Sequence, residues 1–320
     1  MQRLRNEHGV AGVFVALSMT ILIGMLGFAV DIGALYDERR QLSNGADAAV
    51  LAIAEDCALG VGSCDPATGT VTARSFADAN ADDGFAFIED VSLDLSARTV
   101  RVEVGTLEAD GGRVLTPFFA QVVGWNGSTV HASASALWGY PSSMRDVLPL
   151  IISECEFPLG TPVPTPTRTL YFHDGNNADP CNASAGQDTN GDDRLAGGFG
   201  WLDTDGDCAS DLITNNWEFA DPGSSASQGC TPPDISGLLG EPTPLPIFDD
   251  LADVGANGKY HISGFALFVI TGYNFGGQYK VNPPCSGDER CVSGYFTTGV
   301  VHDGEPGGPN RGIVIIKLTG

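Results

Sequence analysis

The chain has 320 residues and 42 % hydrophobic content, enough for two domains with buried cores, which excludes wholesale disorder. Its 42 glycines and 19 prolines exceed the usual share and favour β-structure with many turns over a helical bundle. The formal net charge is −24; the first 40 residues hold four basic and four acidic groups, so the other 280, with 12 basic and 36 acidic, carry all of it. Such a surface repels phosphate backbones and argues against nucleic acid as a partner.

Gly9 to Val30, "GVAGVFVALSMTILIGMLGFAV", contains no charge. As a helix it would be about 33 Å long, enough to cross the hydrocarbon core of a bilayer. Arg3 and Arg5 precede it, and the following "DIGALYDERR" balances two basic groups against three acidic ones. The positive-inside rule then places residues 1–8 in the cytoplasm and the bulk of the chain outside. A cleaved signal peptide is the competing reading, with Gly27-Phe28-Ala29 as its small-x-small site. The apolar run is longer than the 7–15 residues usual for a signal, so a retained single-pass anchor in contact with membrane lipid is favoured.

The helical pattern continues past Val30 without a proline before Pro66. Ile32, Leu35, Tyr36, Leu42, Ala46, Ala49, Val50 and Ile53 recur at helical spacing and predict one apolar face. Asp37, Glu38, Arg40, Gln41, Asn44 and Asp47 fall opposite. A single helix from about residue 9 to 58 is expected, and its second half needs a folded partner over its stripe. Across this stretch Arg5, Glu7, Gly9, Val30, Asp31, Gly33, Leu35, Tyr36, Arg39, Leu42, Ala46, Asp47, Ala48, Ala49, Leu51 and Ala52 form one pattern. It resembles the amino-terminal segment of TadG-like proteins of the Tad (Flp) pilus assembly system. The resemblance departs at Ser43-Asn44-Gly45, and no glutamate stands five residues after Gly9 or Gly12 as a prepilin-peptidase site would require. It implies a membrane-anchored structural protein with pilin-like or pilus-assembly subunits as partners, and not an enzyme.

Residues 66–140 read as a small α/β unit. Residues 70–81 and 114–124 are predicted helices, and 91–104 a β-hairpin bending at Ser96-Ala97-Arg98. "STVHASASALWG" (128–139) alternates as a strand. The resemblance implies the same order of elements behind the anchor. A Pro/Thr-rich stretch, 141–170, then leads into a Gly-, Asp- and Cys-rich part. Its expected strands are "TRTLYFH", "KYHISGFALFVITGYNF", "VSGYFTTGVVH" and "RGIVIIKLTG", the second buried on both faces from Phe265 to Ile270 and the last closing the sheet. The expected organisation is a 1–8 stub, a 9–30 span, a 31–140 pilin-like domain and a 141–320 outer domain. The fold class is α+β: a transmembrane helix continuing into a pilin-like α/β unit, followed by a disulfide-bonded β-rich domain.

The eight cysteines form no CxxC pair and fit no zinc spacing. They fall into local couples, Cys57/Cys64, Cys208/Cys230 and Cys285/Cys291, leaving Cys155/Cys181, which predicts four disulfides in an oxidising compartment. Two Asp-rich segments follow. In one, Asp203, Asp205, Asp207 and Asp211 occupy positions 1, 3, 5 and 9 of a calcium loop; in the other, Asp188, Asn190 and Asp192 repeat the start of it. Glycine sits at position 4 in both, and position 12 is not glutamate, so solvated Asp-Gly turns are the other reading. "GGFGWLDTDG" also resembles a stretch in the outer domains of TadG-like proteins. His-Asp-Gly occurs at 173–175 and 302–304, each after an apolar strand, and reads as a strand-ending turn rather than a paired acid/base site. Calcium is thus the one cofactor these motifs suggest. A calcium-dependent surface adhesin and a secreted hydrolase are the alternative functions.

Overall fold

In a computed structural model of the chain, the described residues are 8–157, 164–173, 200–204, 206–221, 226–253 and 257–319. Helix α1 runs unbroken from His8 to Leu59. Its end is set locally: Gly60 takes a positive φ of 69°, the Val61 N–H reaches back to the Asp56 carbonyl at 2.9 Å, and Cys57 is bonded to Cys64. Helix α2, Pro66–Asn80, starts on an extended N-cap, Asp65, whose carboxylate accepts from the Ala67 and Thr68 N–H groups.

By contacts the chain divides into Met1–Leu137 with Leu318–Gly320, and Trp138–Lys317. In the first unit, β1 (Ala86–Asp94), β2 (Thr99–Thr106) and β3 (His131–Gly139) form antiparallel neighbours in that order. Their inward residues Ala86, Ile88, Val91, Val100, Val102, Val104, Ala134 and Ala136 are buried, as are Ala46, Ala49, Val50, Ile53 and Ala54 of α1 and Ala73 and Ala77 of α2. Helix contact is close because the facing residues are small. A Cβ on Gly45 would stand 3.0 Å from the Ala77 Cα, which explains why glycine occupies the position where this chain departs from the TadG-like pattern. The predicted hairpin bend forms at Leu95–Arg98. The predicted helix over 114–124 does not: only Ala120–Val123 is helical, as a 3-10 turn. Pro117 and Gly124 bracket the stretch, and Gly124 turns out at φ 86°.

The second unit is built on a mostly antiparallel sheet in the order β5 (Ile152–Ser153), β9 (Pro242–Ala252), β10 (Lys259–Asn274), β12 (Arg290–Thr297) and β6 (Arg168–His173). Short strands β8 (Trp217–Phe219) and β11 (Lys280–Val281) also pair with β10. As expected, Phe265 to Ile270 is buried throughout, and alternation divides it. Ala266, Phe268 and Ile270 join Trp201, Phe275 and Phe296 in one core, while Phe265 and Leu267 join Tyr260, Phe248 and Met144 in another. A smaller sheet runs β14 (Glu305–Pro306), β4 (Pro141–Val147), β7 (Ser210–Ile213). The last strand, β15 (Ile313–Leu318), does not close the large sheet. It pairs in parallel with β13 (Gly299–Val300). Strand β9 escapes prediction because prolines 242, 244 and 246 disguise it. At alternate positions, they place all their missing N–H groups along one edge, and β5 pairs with β9 at Ile247 and Phe248, beyond the prolines.

Candidate functional site at the anchor joint

The covered face of α1 begins inside the apolar run. Gly27, Asp31, Leu42, Gly45, Ala46, Ala49, Val50, Ile53 and Ala54 are buried, while Phe28, Ile32 and Tyr36 are exposed. The predicted stripe is therefore out of phase in its first two turns: Ile32 and Tyr36 leave it, and Asp31 enters it. What covers Asp31 is the loop between β2 and β3. Asp31 is 3 % exposed, and its carboxylate accepts from three successive backbone N–H groups: Phe118 at 2.8 Å, Phe119 at 3.1 and 3.2 Å, and Ala120 at 2.7 Å. These are the unpaired amides at the start of the 3-10 turn, so a buried anion meets a nest of donors that need an acceptor. One turn earlier, Gly27 leaves room for Phe119: a Cβ there would lie 2.9 Å from the Phe119 side chain.

Beyond Asp31, Glu38 is half-buried on the same side of the helix. Burial raises its carboxyl pKa above the usual glutamate value, nearby Asp83, Glu108 and Asp37 add to the rise, and a hydrogen bond with Thr106 opposes it. The folded unit therefore holds this proton to higher pH than the unfolded chain does. Between the two values stability falls as pH rises. Glu38→Gln is expected to raise the thermal midpoint of the intact protein at pH 7 and to leave it unchanged below about pH 4, where both states carry the proton. Equal shifts at both pH values would rule this out.

Asp203, Asp207 and Asp211 line one cleft of about 540 Å³ with Asp146 and Glu218. Asp211 Oδ1 accepts from the Asp146 N–H at 3.1 Å, and burial raises the Glu218 carboxyl. Asp188, Asn190, Asp192 and Asp205 lie outside the described residues, and among the described residues no three His, Cys, Asp or Glu side chains converge to hold a metal. Cys57–Cys64, Cys208–Cys230 and Cys285–Cys291 are bonded. Cys155 is disulfide-bonded too; Cys181, its expected partner, lies outside the described residues. His302–Gly304 is a bend in which Gly304 takes φ 115° and donates its N–H to Asp303 Oδ1 at 2.8 Å. The other His-Asp-Gly leaves the described residues after His173. Two histidines solitary in sequence gain carboxylates: His131 with Glu89 at 2.5 Å and His261 with Asp249 at 2.6 Å.

Residues 9–55 match the family model Tad, described as Flp pilus-assembly TadE/G-like. The match covers the span and the packed half of α1, ending where the helix nears its cap; residues 56–320 lie outside it. No curated protein and no solved structure matches the chain. The amino-terminal segment is thus similar to TadE/G-like pilus-assembly proteins over residues 9–55. Among the described residues one helix is long and apolar enough to cross a membrane, and together with the match this supports a Tad-related, membrane-anchored role.

Proposed function

We propose that the protein is a structural component of Tad/Flp-type pilus assembly, held in the cell membrane by α1 with its amino terminus cytoplasmic and the rest of the chain outside. Its work is packing and positioning, with no catalytic step. The observation that carries this is the continuous α1, apolar to Val30 and then packed into a folded unit, over the residues that match the TadE/G-like model. The orientation rests on Arg3 and Arg5 ahead of the span. The partners are other pilus-assembly or pilin-like subunits, for which the exposed Phe28, Ile32 and Tyr36 offer one apolar helix face. Crosslinking in the native envelope, followed by identification of the adducts, is expected to recover Tad/Flp pilus components. Recovery of none, together with surface binding abolished by EGTA, would replace this reading with the calcium-dependent adhesin.

A further inference from the structure

We propose that the loop 117–125 is a second membrane contact, entering the lipid interface beside the last turn of the anchor. The inference rests on α1 being a membrane anchor and adds a surface that no helix pattern announces.

Four observations lead there. The first is composition: in a chain of net charge −24, no charged residue occurs between Val114 and Val130. The second is exposure of the wrong kind for water. Phe118 is 87 % and Val122 89 % exposed, and Val123, Phe119 and Trp125 of the same loop are exposed too. Grouped apolar side chains of this sort mark a contact surface, and an aromatic at its margin suits the boundary between acyl chains and headgroups.

The third observation commits the patch to lipid rather than to another protein. Phe119 packs at Gly27 and the loop backbone is clamped at Asp31, so the loop sits at the level where the uncharged run of α1 ends. Gly27 is three residues, about 4.5 Å along the axis, inside that end. Any bilayer that receives Gly9–Val30 places its interface against this loop, and burial of 5–10 Å is what interfacial segments achieve.

The fourth is polar satisfaction. Backbone N–H groups in lipid must be bonded internally. The N–H groups of Phe118, Phe119 and Ala120 bond Asp31, and those of Val122, Gly124 and Trp125 bond Phe119, Gln121 and Ala120 carbonyls. Pro117 has none. Asp31 in turn would be costly at the edge of hydrocarbon as a bare anion; with three donors on it, it is not bare. Carboxylate and nest neutralise each other's cost where water is scarce.

The test uses the full chain reconstituted in phosphatidylethanolamine–phosphatidylglycerol vesicles, with photoreactive benzoylphenylalanine in place of Val122, Leu22 or Val71. Each of these side chains is exposed, so replacement leaves the packing intact. Lipid adducts are expected at 22 and 122 and none above background at 71, which lies on α2. Adducts at 22 with none at 122, or an adduct of 122 with a second protein chain, would overturn the membrane contact and leave the anchor standing. No lipid adduct at 22 would overturn the anchor itself, and the loop contact with it.

Discussion

Replacing Asp31 with alanine is expected to free the loop 117–125 from α1 while the sheet behind it stays folded. The carboxylate collects all three amides at the start of the 3-10 turn, and Asp31 is buried whereas Phe118 and Phe119 are exposed. Bonds to an ionised acceptor are worth about 1.5–3 kcal/mol each. The limited water of the bilayer interface recovers part of that, so a loss of about 3 kcal/mol in local stability is the expected scale. Hydrogen exchange read at Phe118, Phe119 and Ala120 should accelerate on the order of 100-fold, with the amides shared by β1, β2 and β3 unchanged. Asp31→Asn should fall between, because one acceptor oxygen remains and the amide NH₂ faces a donor. Unaltered protection at 118–120 in the alanine variant would show that the clamp contributes nothing.

The second large effect is expected in the other unit, at Glu154. Arg311 is 5 % exposed, and its Nη2 donates to Glu154 Oε1 at 2.7 Å and to Ser263 Oγ at 3.1 Å. Among the described residues its Nε and Nη1 have no hydrogen-bond partner. Gly264 makes the room: a Cβ there would meet the guanidinium Nε at 2.7 Å. Removing the glutamate leaves a buried cation with one neutral acceptor, a change that costs about 3–5 kcal/mol in buried pairs. Glu154 is itself partly exposed, which favours the lower end of that range. For a unit of this size about 3 kcal/mol lowers the thermal midpoint by roughly 6–12 °C. Glu154→Ala combined with Arg311→Met should recover much of the loss, since the desolvated charge is then gone. If the double variant melts no higher than Glu154→Ala, the pair is not the source of the effect.

Much of the architecture was legible without coordinates. The apolar first half of α1, its continuation as one helix, the β1–β2 hairpin, the doubly buried strand around Phe268 and three cysteine pairs all depend on neighbours within a few to about twenty residues. Periodicity and spacing record such relations directly. The site was less legible. Asp31 lies in a charged cluster, Asp31 to Arg40, that looks like the water-facing end of a span, and Ile32 looks like the better core residue. The Asp-rich segment from 188 to 211 carries a recognisable motif, whereas the loop 117–125 carries only an absence of charge.

By itself, then, the sequence determined that a long apolar helix leads into a β-rich, disulfide-bonded body, because the hydrophobic period and the loop-closing cysteines are local. Only the tertiary structure decided which face of that helix is covered. The donors that bury Asp31 come from residues 87 to 89 positions away, and the acceptor that holds Arg311 from 157 positions away. Contacts across such separations leave no period in the chain. They arise when loop geometry and a helix phase meet in space, and there a buried carboxylate in the right place outweighs an isoleucine beside it.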